Sequence, residues 1–253
     1  MTTGPDRLAI VTGTSSGIGE AAARELLRRE WSVIGAARRA ASIEHPHYRH
    51  LIIDLQDLAA LEPQFERDVG PLLAGAQWRR IGLVNNAADS DPLGPLENAT
   101  PSQLQGTHAV NLVAPIWLMG FVIRRAQPSA VIRIVNVSSG AATSPFPGLG
   151  AYASTKAGLR MAGMVFAKEL DSPLRPGGAR PDATIFSYEP GIVDTAMQTT
   201  ARERTQTAFP WVGMFTGFQR EGMLVSPSGP AREMADYLES TSAGRFTERR
   251  FAG

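Results

Sequence analysis

A chain of 253 residues with 43% hydrophobic content can fold as one globular unit, or two small ones, burying roughly three quarters of the surface its unfolded form exposes. Its 25 basic residues against 24 acidic ones give a formal charge of +1, and the arginines are scattered, which argues against a nucleic-acid footprint or a polybasic membrane patch and leaves small molecules as partners. Cysteine is absent, which excludes disulfides and thiolate sites; with no run of about 18 apolar residues and no charged-then-apolar leader in MTTGPDR, a soluble cytoplasmic protein is expected.

The first β-rich run is RLAIVTG (7–13), followed by the helical-period segment GIGEAAARELLRRE (17–30). WSVIGAA (31–37) reads as a second strand, and the connection RRAASIEHPHYRH after it is short for a crossover helix, so one helix is expected to be vestigial. HLIID (50–54) is a third strand, a helix follows near 57–69, and IGLVNN (81–86) is a fourth strand. A long helix spans 101–126, VIRIVNVS (131–138) is a fifth strand, and another helix covers 151–170. The Pro/Gly-rich DSPLRPGGARPD (171–182) reads as a surface loop before a sixth strand, ATIFSYE (183–189). Strands apolar on both faces, alternating with helices, predict an α/β fold: a doubly wound parallel sheet (Rossmann fold) with helices on both faces, as a single domain over 1–253.

Two stretches carry chemistry on their own. Gly13, Gly17 and Gly19 in TGTSSGIGE lie where a strand yields to a helix, so the backbone can approach a pyrophosphate while the helix N-terminus presents unpaired N–H groups. The spacing is G-x-x-x-G-x-G, and the alternative is an ordinary glycine turn. In YASTK (152–156), Tyr152 and Lys156 are four apart on a helix and share one face; Lys156 and Lys168 are the only lysines among the 25 basic residues. An adjacent ammonium favours phenolate, so the phenol is expected to fall from its usual value near 10 towards neutrality. Three histidines, His45, His47 and His50, fall close together but without a carboxylate-rich set around them, and no metal is expected.

TGTSSGIG, NNAA (85–88), NVSS (136–139), YASTK and PGIVDT (190–195) together resemble the short-chain dehydrogenase/reductase family over almost the whole chain. Ala88 stands where that family usually has glycine. The resemblance implies Ser139 as the catalytic serine thirteen residues before Tyr152, with Ser138 its less favoured neighbour, and Asn111 as the family's further asparagine. Ser139 is expected to hold a substrate carbonyl for hydride attack while Tyr152 delivers the proton. Pro115 has no N–H for the Asn111 carbonyl four residues back, which either frees that carbonyl to hold a water relaying protons to Lys156 or simply kinks the helix. A dinucleotide site is expected from Gly13, Ser15, Ser16, Gly17, Ile18 and Gly19, from Asp54 and Leu55 at the adenine, and from Asn86, Ala87, Tyr152 and Lys156. PGIVDT should close over the nicotinamide through Pro190, Gly191, Val193 and Thr195. At the end of the second strand Ala37 replaces the acidic residue that pairs with a ribose hydroxyl, and Arg38 and Arg39 follow, so NADP(H) is expected, unless these arginines are ordinary loop residues.

PGIVDTAMQ and the later GMLVSPSGPA are most similar to the sepiapterin reductase and benzil reductase branch. That likeness implies an NADPH-dependent carbonyl reductase acting on a hydrophobic ketone or vicinal diketone. The alternatives are a pterin reductase, with Glu248 in place of the branch's pterin-anchoring aspartate, or a non-catalytic NADP-sensing regulator. A substrate lid is expected near 196–225, where Phe209, Trp211, Met214 and Phe215 are either substrate contacts or core. The family implies a homodimer or homotetramer through helices 101–126 and 151–170.

Overall fold

The computed structural model describes residues 5–75, 78–172, 181–241 and 244–252. Side chains alternate along the central strands and so divide between two apolar layers. Leu8 and Ile10 of β1 (Arg7–Thr12) face one core, while Ala9 and Val11 face the other. The sheet order is β3-β2-β1-β4-β5-β6-β7, with β2 Ser32–Ala37, β3 Tyr48–Ile52, β4 Arg80–Asn85, β5 Val131–Val137, β6 Asp182–Glu189 and β7 Phe246–Arg250. Every pairing is parallel. The first core lies under α2 (Leu58–Asp68), α3 (Gly70–Gly75), α5 (Ala114–Arg125) and α6 (Gly150–Asp171); the second lies under α1 (Gly17–Arg28) and α9 (Ser228–Glu239).

The expected doubly wound parallel sheet is therefore present, and the segment between β2 and β3 holds no helix. Residues 173–180 of the surface loop expected at 171–182 lie outside the described residues. Four elements of the C-terminal third were not read from the sequence. β7 is FTERR, an exposed edge strand whose charged residues suppress the apolar signal. In α9, Ala231, Met234, Ala235 and Leu238 form a buried stripe of helical spacing. The short α7 (Ala196–Arg202) and α8 (Val212–Arg220) complete the C-terminal third.

The long helix expected at 101–126 is α4 (Pro101–His108), a π-helical turn (Ala109–Val113) and α5 in one run. Its N-terminus is fixed by a capping box between Thr100 and Gln103. Within Pro101–Arg125 lies an 18-residue window with a mean hydropathy of 1.5, enough by length and composition to cross a membrane, where the sequence had suggested no such stretch; 61% of that window is buried in the protein, so core packing accounts for its composition.

Candidate active site

The order of the strands reverses between β1 and β4, and the crevice at such a point is where doubly wound sheets bind ligands. The turn after β1 occupies it. Gly13 and Gly17 have φ of 77° and 62°, which side chains rarely adopt. A Cβ on Gly19 would collide with the Gly13 carbonyl and lie 2.5 Å from Asn86 Nδ2, so α1 can press against the turn only without one. Ser16 caps α1 in extended conformation with its hydroxyl unused at the cap. Ser15 and Ile18 complete the loop, half-buried. Thr195, at the N-cap of α7, closes over it: a Cβ on Gly17 would stand 3.1 Å from Thr195 Cγ2.

Asn86 and Ala87 bind this turn to β4. Both backbone amides donate to Thr12 Oγ1 at 3.0 Å, and Asn86 Nδ2 donates to the Thr12 carbonyl at 2.8 Å. Thr12 is thus a scaffold residue that the motif reading missed. Leu55 is buried and Asp54 half-buried in the turn after β3, where Asp54 Oδ1 accepts from the Gln56 amide. Arg38 and Arg39 follow β2, exposed, and form no ion pair among the described residues. Pro190, Gly191 and Val193 run from β6 along Val225, with the Asp194 amide on the Val225 carbonyl at 2.9 Å.

Ser139, Tyr152 and Lys156 come together at the carboxyl end of β5. Ser139 follows that strand as the cap of a 3₁₀ turn, its Oγ accepting from the Ala141 amide at 3.2 Å. Its hydroxyl faces that of Tyr152, on the first turn of α6, close enough to favour the phenolate. Ser138 instead points its amide at the Tyr188 carbonyl. One turn beyond Tyr152, Lys156 is buried and donates from Nζ to the Val137 carbonyl at 2.7 Å. That ammonium lies 5.5 Å from the Tyr152 ring centroid, over its face.

The expected depression of the phenol does not occur in the protein alone. Burial pushes Tyr152 up to about 12, against the opposing pull of the Ser139 hydroxyl. Burial likewise brings Lys156 down to about 8. Desolvation penalises each charged form, and the ammonium addresses the ring face and a backbone carbonyl rather than the phenolic oxygen. The result is a phenol that keeps its proton at neutral pH.

Asn111 is fully buried in the π-helical turn. Its side chain clips the loop after β4, Oδ1 accepting from the Asp89 amide and Nδ2 donating to the Asp89 carbonyl, both at 2.7 Å. It also donates to Thr155 Oγ1 at 3.2 Å, tying that loop to the Tyr152 helix. Asp89 and Thr155 are further scaffold residues absent from the sequence reading.

The 196–222 segment packs on its own small core. Phe209 and Phe215 are buried there against Leu93, Leu149, Val212 and Met214, so these two aromatics are interior residues, while Trp211 remains 37% exposed. Arg204 grips both oxygens of Asp91 at 2.8 and 2.9 Å. Glu248 is likewise engaged, by Arg160 Nε at 2.6 Å and Nη2 at 2.8 Å, and Arg160 holds its carboxyl below the usual carboxylate range.

Residues 7–206 match the family model of the short chain dehydrogenases. A benzil reductase ((S)-benzoin forming) of Bacillus cereus is 33% identical over 92% of this chain and 94% of its own. This chain belongs to the short-chain dehydrogenase/reductase family. A second benzil reductase, from Bacillus subtilis (strain 168), is 32% identical over 94% of this chain and 96% of its own. The crystal structure of a short-chain dehydrogenase/reductase from Burkholderia vietnamiensis superposes with a TM-score of 0.68 at 28% identity, covering 81% of this chain and 94% of that one. The short-chain dehydrogenase/reductase assignment makes the chain an oxidoreductase working at C=O and CH–OH groups. The turn fits a nicotinamide dinucleotide: its glycines leave room that a Cβ would fill, beside the α1 N-terminus, whose N–H groups and dipole suit a pyrophosphate.

Proposed function

We propose that this protein is an NADPH-dependent carbonyl reductase that transfers a hydride to a hydrophobic ketone or vicinal diketone of the benzil type. The observation that carries the reading is the meeting of the Ser139 and Tyr152 hydroxyls one helical turn from buried Lys156, at the same strand ends as the glycine turn. The reduced nicotinamide, when bound, supplies the hydride. Ser139 donates a hydrogen bond to the substrate oxygen and stabilises the negative charge developing there. Tyr152, protonated at neutral pH, gives that oxygen its proton. Lys156, with the Asn111 carbonyl that Pro115 leaves without an N–H, forms the path that reprotonates the phenol.

The unpaired guanidiniums of Arg38 and Arg39, following Ala37, support NADP(H) over NAD(H). The 196–225 segment acts as the substrate lid, with partly exposed Trp211 as its aromatic contact. The engagement of Glu248 by Arg160 disfavours a pterin anchor there. Exposed Val113, Ile116, Met161 and Val165, on the same two helical runs, support a homodimer or homotetramer across that face. Following NADPH absorbance with benzil and a panel of ketones tests the reading. Consumption with benzil is expected; tight NADPH binding with no consumption by any carbonyl would instead favour a sensor.

A further inference from the structure

A chain of three hydrogen bonds runs from the turn after β1 to the loop bearing Arg38 and Arg39. Thr14 Oγ1 lies 3.1 Å from the Tyr48 hydroxyl, which lies 2.8 Å from His50 Nδ1. His50 Nε2 lies 3.0 Å from the Arg39 carbonyl oxygen. A carbonyl can only accept, so Nε2 carries a proton; in the neutral ring Nδ1 then accepts from Tyr48, whose oxygen accepts in turn from Thr14. One backbone acceptor therefore orders the whole chain.

The surroundings are built for it. Gly35 of β2 is the residue beside His50 across the sheet, and a Cβ there would collide with the Tyr48 hydroxyl and come within 2.5 Å of Thr14 Oγ1. Thr14 is fully buried, and burial pushes the Tyr48 phenol up, so it retains its proton to donate. The loop is otherwise tethered further on, at Ser42, by Arg24. Among the described residues, no carboxylate fixes Arg38 or Arg39.

We propose that the Thr14–Tyr48–His50 chain is the positioning device of a phosphomonoester site. By holding the Arg39 peptide it sets the Arg38 and Arg39 guanidiniums in place for the phosphate on the adenosine ribose. The inference rests on the NADP(H) reading above and names residues that act through the arginines rather than on the ligand. His50 reaches across from β3 to a loop that follows β2, so the separation of those two strands sets the reach of the clamp.

Calorimetric titration of the full chain with 2′,5′-ADP and with 5′-AMP tests this without turnover. His50→Ala is expected to weaken 2′,5′-ADP about fivefold, the scale of one hydrogen bond, while 5′-AMP changes less than twofold. His50→Gln, whose amide N–H can still donate to the Arg39 carbonyl, is expected to recover most of the loss, and Tyr48→Phe to fall between. Unchanged 2′,5′-ADP affinity in His50→Ala, or equal weakening of both nucleotides, overturns the proposal. A parent protein that does not prefer 2′,5′-ADP to 5′-AMP overturns the NADP(H) reading itself, a separate result.

Discussion

Burial lowers the Lys156 ammonium from 10.5 to about 8, and that difference sets a pH dependence of stability. The unfolded chain binds the proton more tightly than the folded one, so below pH 8 the folded state bears the full penalty of a buried charge. The penalty is relieved as pH rises from 8 towards 10.5. A difference of about 2.5 pH units is roughly 3.4 kcal/mol, of which about 2.5 kcal/mol is recovered between pH 7 and pH 10. Lys156→Met removes the titration, and any fixed cost of losing the bond to the Val137 carbonyl is the same at every pH. Tyr152 pulls the other way above pH 10, because the folded phenol resists ionisation, but parent and variant share that effect and it cancels in the difference. Urea unfolding of both proteins at pH 7, 8, 9 and 10 gives the comparison. Parent stability minus variant stability should climb by about 2.5 kcal/mol over this range. A flat or falling difference would refute the argument that desolvation, rather than a nearby carboxylate or the phenol, controls this amine.

Tyr152→Phe should reduce carbonyl turnover by about 10²–10⁴-fold, the usual share of a general acid, while NADPH affinity measured by fluorescence titration holds. Gly19→Ala forces a methyl into the Gly13 carbonyl; an overpacking cost of about 1–3 kcal/mol should appear as a lowered Tm, together with weakened dinucleotide binding. Asp91→Asn loosens the grip on Arg204, whose side chains are 47% and 40% exposed, so stability should move by less than about 1 kcal/mol while steady-state KM for the carbonyl rises.

The strands β1, β2 and β4 to β6 were legible because each is short, largely apolar and bounded by turn residues, and the two layers need only the alternation of Leu8, Ala9, Ile10 and Val11; β3 was expected at 50–54 and lies at Tyr48–Ile52, because Tyr48, Arg49 and His50 break the apolar run. The glycine turn and the Tyr152–Lys156 pair were legible because their spacing along the chain is itself the geometry. What stayed hidden depends on contacts between distant segments. Nothing local tells that Thr12 would accept two amides from β4, or that Asn111 would clip Asp89. The sign of the Tyr152 shift was misread for the same cause: adjacency on a helix face is a sequence property, whereas the degree of desolvation belongs to the folded interior. β7 was missed because an edge strand of charged residues looks like a tail until β6 is beside it.

The widened turn at Ala109–Val113 places one residue more than regular α-helix would need between Thr107 and the stripe of Leu118, Met119 and Val122 that meets the sheet. Each helical residue advances the side chains by about 100°. Tightening this turn into ordinary helix with every residue kept would swing that stripe off the sheet by about 100°, more than a quarter of a revolution, whereas excising one residue would close the wide turn and leave the stripe in phase. The wide turn thus absorbs one surplus residue at Asn111 while the helix on either side keeps the same face to the sheet.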